Sequence, residues 1–193
     1  MTGATRRRGA DLEAAIFAAA LDQLGAAGYR RLTMEGVATA ARTGKAALYR
    51  RWNSKDELLR DALLRELPPP VEPPATGTVR GDVRALLVAF RDTIASCHGA
   101  PWQALKEEDA GAVLIRELVK ERLVEPIRRY LGEALRAGVE RGEVRPRAAT
   151  RELAELGPAM ITYRYMTRRE VTPDETIDYI VDEIVLRAVS PPP

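Results

Sequence analysis

The chain has 193 residues, with 30 Lys and Arg, 28 Asp and Glu, one Cys and one His. At about 100–200 residues per domain, this is one large domain or a small one joined to a larger one, in either case able to bury a core. A single cysteine, Cys97, excludes an intrachain disulfide framework and any multi-cysteine zinc site, and a single histidine, His98, excludes a His-rich metal cluster. The formal charge of +2 is unevenly spread: residues 1–55 carry ten bases and four acids, a net +6, and the rest carry 20 bases and 24 acids, a net −4. That asymmetry points to a basic N-terminal module facing a polyanion. No apolar run approaches the roughly 18–20 residues needed to span a bilayer. The opening MTGATRRRGADLEAA has no apolar core of a secretory signal, so a cytoplasmic protein without membrane association is expected.

Ala, Leu, Arg and Glu dominate, and no β-branched run alternates with period two, which predicts an all-α fold. Residues 1–9 form a basic arm. Its Arg6, Arg7 and Arg8 read either as a minor-groove arm or as a solvated tail. Leu12, Ile16, Ala20 and Leu24 recur at helical spacing, and Gly28 is a plausible C-cap. Thr33 can N-cap a short helix, Met34 to Ala41, with Glu35 well placed in its first turn. Arg42-Thr43-Gly44 reads as a turn, and Lys45 to Trp52 as a third helix. Ser54-Lys55-Asp56-Glu57 is a capping box opening a fourth helix through Leu67.

PPPVEPPATGT, residues 68–78, holds five of the 13 prolines and cannot stay helical. The expected division is therefore a domain over 1–53, a connecting helix and Pro-rich linker over 54–77, and a larger helical domain over 78–193. In the last, Val83, Leu87, Phe90, Ile94 and Cys97 predict a fifth helix, and a short one can follow from Trp102 to Asp109. A long helix from Val113 to about Arg141 is expected to be kinked at Pro126, with Gly142 at its end. Ala149 to Thr167 and Asp174 to Val189 are the last two.

Three short helices, the last two joined by a three-residue turn, form a helix-turn-helix pattern. The second of the pair enters the major groove and the first crosses the backbone. Val37 and Leu48 can point inward between them, and Ala38 is small where they cross. Lys45, Ala46 and Ala47 open the recognition helix, with Lys45 the main candidate base reader. Tyr49, Arg50, Arg51 and Lys55 follow where they can reach phosphates, whereas Trp52 is expected in the core.

The segment IFAAALDQLGAAGYRRLTMEGVATAARTGKAALYRRWNSKDELL, residues 16–59, resembles the DNA-binding domain of the tetracycline-repressor-like (TetR) family of transcriptional regulators. The resemblance rests on the alanine-rich first helix closed by Gly28-Tyr29, then Thr33-Met34, Val37-Ala38, Leu48-Tyr49-Arg50-Arg51-Trp52, Lys55 and Leu58-Leu59. VERGEVRPRAATRELAELGPAMITYRYM resembles the ligand domain of a subset of these regulators. The resemblance implies a homodimer with two DNA-binding heads on double-stranded DNA, and a C-terminal helical bundle that binds an effector and dimerises through its last two helices. Tyr49, Arg51 and Lys55 would contact the DNA backbone, and Lys45, Ala46 and Ala47 would approach bases, with Thr33, Arg42, Thr43, Gly44 and Arg50 around them. Two positions depart from the family: Arg42 stands where Gly is usual, and Gly44 where a capping Ser is common.

In the larger domain, Phe90, Ile94, His98, Trp102, Leu118, Arg122 and Met160 are the candidate pocket, a mix suited to an apolar or aromatic effector with an anionic group for Arg122. Leu153, Leu156, Met160 and Tyr163, with Ile177, Ile180 and Ile184 on the next helix, form stripes at helical spacing. They are assigned to dimerisation, with the protomer's own core as the competing reading. His98 and Cys97 are sequence neighbours on a helix and do not face one another, so they suggest no catalytic pair. No phosphate loop, nucleophile elbow or paired-carboxylate signature appears, so neither an enzyme nor a cofactor is expected. A ligand-released repressor on a pseudo-palindromic operator is the leading expectation. A DNA-binding regulator without a small-molecule effector, or one controlled by a protein partner, is the alternative, and a fully packed pocket would favour it.

Overall fold

The computed structural model describes residues 9–67, 75–97, 110–168 and 170–192. The arm arginines Arg6, Arg7 and Arg8, most of the Pro-rich stretch, His98, Trp102 and the short helix expected after it lie outside the described residues. The described residues contain helices and no strand, and none of these helices is long and apolar enough to cross a membrane. The chain forms two compact units: Met1–Pro68 with Cys97–Val119, and Pro69–Ser96 with Lys120–Pro193.

The first unit contains α1 (Gly9–Ala27), α2 (Met34–Ala40), α3 (Lys45–Tyr49), α4 (Lys55–Glu66) and α6 (Ala110–Val119). Ile16, Ala20 and Leu24 are fully buried on α1, at the spacing that identified the helix. α1 packs against α2 and α4, and α4 against α6. Gly28 ends α1 with φ 82°, a left-handed conformation that costs glycine nothing. Thr33 caps α2 by accepting from Gly36 N at 3.1 Å. Ser54 caps α4 by accepting from Glu57 N at 3.2 Å. The returning Glu57 carboxylate takes Asn53 N at 2.8 Å, so the reciprocal bond of the capping box falls one residue earlier in the chain.

α2 ends in a Schellman cap: Thr43 N donates to Ala38 O at 2.9 Å and Arg42 N to Thr39 O at 3.1 Å. Arg42 occupies the left-handed position of this cap, with φ 54°. Thus the arginine standing where glycine was expected does adopt the strained conformation. α3 is shorter than the sequence suggested, because Arg50 and Arg51 complete it as a turn.

The second unit contains α5 (Val79–Ser96), α7 (Glu125–Glu140), α8 (Arg151–Arg168), α9 (Asp174–Tyr179) and α10 (Leu186–Val189). A π-helical segment, Lys120–Val124, leads into α7, and another, Ile180–Val185, joins α9 to α10. The first precedes Pro126, which has no N–H to offer the carbonyl four residues back. α5 and α7 form the centre, with Val83, Leu87, Ile94, Leu131 and Leu135 almost fully buried. A ladder of ion pairs ties α5 to the last helical stretch: Arg80 to Asp182 at 2.7 Å, Arg84 to Asp178 at 2.6 Å, and Arg91 to Asp174.

The core face of α8 consists of Ala154, Gly157 and Ile161. Gly157 is small because Leu87 passes close: a Cβ there would sit 2.8 Å from both Leu87 methyls. Leu153, Leu156 and Met160 flank that line and are half-buried, while Tyr163 is 68% exposed. Ile177 and Ile180, assigned above to dimerisation, have 0% exposure. This corrects the assignment of those two: they fill the protomer's own core and have no surface to present. Ile184 is half-buried.

Candidate nucleic-acid interface

The helix-turn-helix pair is held from beneath by apolar side chains. Val37 and Leu48 are completely buried and Ala38 nearly so, which fixes α3 against α2. Trp52 is 4% exposed, lies 5.5 Å from the Phe17 ring between centroids, and donates Nε1–H to Asp61 at 2.9 Å. The core role expected for Trp52 is therefore seen.

The opposite surface is open. Thr33, Arg42, Gly44, Lys45, Ala46 and Arg50 are exposed, Thr43 and Ala47 are half-buried, and the Tyr49 ring is 47% exposed. Such an arrangement presents small side chains at the start of α3, where backbone can approach a groove closely, with a phenol hydroxyl and cations around them. Arg42 and Arg50 have no acidic partner among the described residues.

Three of the expected cations are engaged within the protein. Lys45 Nζ lies 3.1 Å from the Glu35 carboxylate. That carboxyl is held below the ordinary range, first by a backbone hydrogen bond at Glu35 itself and then by Lys45. Arg51 donates to Glu13 at 3.0 Å, and Arg65 lies 3.5 Å from the other oxygen of the same carboxylate. Lys55 is half-buried, donating to Tyr29 O at 2.8 Å with its ammonium 3.8 Å from the Tyr29 ring centre. The Tyr29 hydroxyl in turn donates to Asp56. Lys55 and Arg51 thus brace the head, and each keeps further N–H donors beyond these internal bonds. Sequence reasoning missed Glu35, Glu13 and Tyr29 as partners. The only signal for the first was opposite charge on either side of the turn.

Residues 16–62 match the model described as bacterial regulatory proteins of the tetR family, and residues 73–184 match the tetracyclin repressor-like C-terminal domain. The chain belongs to the TetR family. An HTH-type transcriptional regulator of Mycobacterium bovis described as uncharacterised is 28% identical over 178 residues, covering 92% of this chain and 88% of that protein. A DNA-binding transcriptional repressor named TetR, from Mycobacteroides abscessus, is 28% identical over 185 residues, 95% and 97% of the two chains. The crystal structure of the TetR-family transcription regulator SCO0332 superposes with a TM-score of 0.55 at 25% identity, covering 94% of this chain and all of that one. The chain is a TetR-family transcriptional regulator, and most of its second unit falls within the C-terminal match, which ends at residue 184.

That unit holds a small cavity among Leu87, Leu131, Leu135, Leu153, Gly157 and Val185, with room for about 10 Å³. None of the residues expected to line a pocket borders it. Phe90 and Ile94 are buried on α5, and Arg122 and Met160 are half-buried in the same unit. Leu118, half-buried, belongs to the first unit.

Among the described residues of the second unit, the exposed large apolar side chains are Tyr163, Met166, Val171 and Tyr179. Tyr179, 60% exposed, was not singled out from sequence. Its signal was an aromatic residue on the acidic face opposite the isoleucine stripe.

Proposed function

We propose that this protein is a cytoplasmic, homodimeric repressor that binds a pseudo-palindromic duplex site through α2 and α3. The observation that carries the reading is the open start of α3, where Lys45, Ala46, Tyr49 and Arg50 are exposed over the buried pair Val37 and Leu48. Thr33, Arg42, Thr43, Gly44 and Ala47 complete the surface, and the basic arm with Arg6, Arg7 and Arg8 extends it into an adjacent minor groove. Dimerisation uses the exposed side of α8 and the last helical stretch: Leu153, Leu156, Met160, Tyr163 and Ile184, joined by Tyr179. A fluorescence titration with the duplex upstream of its own gene tests the DNA reading. Saturable binding that weakens with salt, and is lost in Lys45→Ala/Tyr49→Ala, supports it. Binding unaffected by salt or by those substitutions refutes it.

Release by an apolar or aromatic effector in the second unit, with Phe90, Ile94, Arg122 and Met160 as the contributing residues, remains part of this reading. Such an effector shifts the balance between two states only if it binds them unequally. A second reading, regulation without a small-molecule effector or through a protein partner, is favoured by one observation. Among the described residues, the cavity enclosed by Leu87, Leu131 and Gly157 has room for about 10 Å³ and holds at most a water, whereas ligand sites are about 300–1,000 Å³. Screening metabolites for release of the DNA complex separates the two.

A further inference from the structure

α3 is Lys-Ala-Ala-Leu-Tyr, so Lys45 is its only ionised side chain. That ammonium lies 3.1 Å from Glu35, in the first turn of α2. Both side chains are exposed, Lys45 by 62% and Glu35 by 49%, so the pair is available to a macromolecule lying on this surface. Its neighbours differ in kind: Arg42 and Arg50 are cations without acidic partners among the described residues, suited to any phosphate.

A lysine ammonium is a compact, hydrated point charge on a flexible stem. Left alone on this surface, it would be drawn to whichever phosphate is nearest, a contact that carries no sequence information. A carboxylate at 3.1 Å changes its chemistry in two ways. It cancels the net charge, removing most of the attraction to phosphate, and a phosphate approaching the pair also meets the repulsion of Glu35. It occupies one of the three ammonium donors and directs the stem, leaving donors for neutral acceptors such as guanine O6 and N7. The carboxylate, with several lone-pair sites, also keeps acceptor capacity for a cytosine amino group.

We propose that Glu35 is a specificity-determining positioning residue, holding Lys45 so that it addresses the neutral edge of a G·C pair in the major groove rather than the phosphate backbone. The inference rests on the DNA-binding reading above and deepens it.

The test is a thermodynamic cycle of wild type, Glu35→Gln, Lys45→Ala and the double variant. Each full-length protein is titrated with its best-bound duplex, with that duplex carrying single G·C to A·T changes, and with random-sequence duplex, over a series of salt concentrations. Glu35→Gln frees one positive charge per head. The slope of log affinity against log salt should steepen by about 0.9 per head, so between 1 M and 0.1 M salt the gain in random-duplex affinity over wild type should grow about eightfold for each engaged head, or about 60-fold for a dimer with both heads engaged. The penalty for one G·C change should fall at the same time. In the Lys45→Ala background, Glu35→Gln should change the slope by less than it does beside Lys45 and leave selectivity unaltered, and Glu35→Asp should retain the wild-type selectivity in part. A slope change of equal size with and without Lys45 would overturn the proposal, since Glu35 would then act only as a repulsive charge. Unchanged G·C selectivity in Glu35→Gln would overturn it too. Far-UV circular dichroism establishes that each variant is folded. Wild type that discriminates sites while the cycle shows no coupling refutes the role of Glu35 alone, whereas wild type that binds no duplex refutes the DNA reading itself.

Discussion

The two Schellman caps contain a natural experiment in backbone strain. α7 ends as α2 does: Glu143 N donates to Gly138 O at 2.8 Å and Gly142 N to Val139 O at 3.1 Å. Its left-handed residue is Gly142 with φ 78°, where α2 has Arg42 with φ 54°. A left-handed conformation costs a residue with a Cβ about 1–2 kcal/mol. Replacing arginine by glycine relieves that, but gives the unfolded chain extra freedom worth about 0.5–1 kcal/mol. Arg42→Gly should therefore stabilise the free protein by about 0.5–1 kcal/mol. Gly142→Ala should destabilise it by a similar amount: a Cβ there meets nothing within 4 Å, so strain is the only cost in the folded state, offset in part by the reduced freedom of the unfolded chain. In urea, with a slope near 2 kcal/mol per molar, these are midpoint shifts of about 0.3–0.5 M in opposite directions at unchanged slope. Arg42→Ala is the control: it removes the exposed guanidinium but keeps the Cβ, so it should not raise the midpoint. A lower midpoint for Arg42→Gly, or an equal rise for Arg42→Ala, would refute the strain argument.

Gly157→Ala places a methyl 2.8 Å from Leu87, which is 0% exposed. Overpacking of about 1–3 kcal/mol should outweigh a helix-propensity gain of about 1 kcal/mol, lowering Tm, with part of the loss recovered by adding Leu87→Val. Ile177→Ala should cost about 2–5 kcal/mol at any protein concentration, as a core truncation does. Tyr163→Glu with Tyr179→Glu should instead yield a folded monomer in sedimentation, and a persistent dimer would remove that face from the interface. Asp182 and Asp174 are held below the usual carboxylate range, chiefly by hydrogen bonds from Arg80 and Arg91 respectively. A depressed folded-state pKa stabilises fully above the unfolded value, near 3.9, and is lost as pH falls through the folded one. The stability gap between wild type and Asp182→Asn, followed by urea unfolding, should thus close below about pH 4 and stay constant above pH 5.

The head was legible because its signals are local. Thr33, Ser54 and Gly28 each act within four residues of their own position, and Ile16, Ala20 and Leu24 line one helix face. The charge partners of α3 were not, because Glu13 lies 38 residues from Arg51 and only the packing of α1 brings them together. On α8, counting large apolar side chains misplaced the core face, since the residues that meet α5 there include Ala154 and Gly157. Small residues at a close crossing leave almost no mark in a hydrophobic pattern. Ile177 and Ile180 were ambiguous for a related reason: a stripe on the last helix serves a core or a partner equally well until the neighbouring helix is placed. The pocket residues depended on side-chain packing across several elements, which periodicity does not encode.

Selection of bound sequences from a random duplex pool tests the central claim most directly. The account predicts enrichment of an inverted repeat whose half-sites match the twofold symmetry of the protein. It also predicts that Lys45→Ala/Tyr49→Ala, still folded, enriches nothing. A pool that stays random with wild type, or a motif that survives unchanged in the double variant, would contradict the assignment of α2 and α3 as the DNA-reading surface.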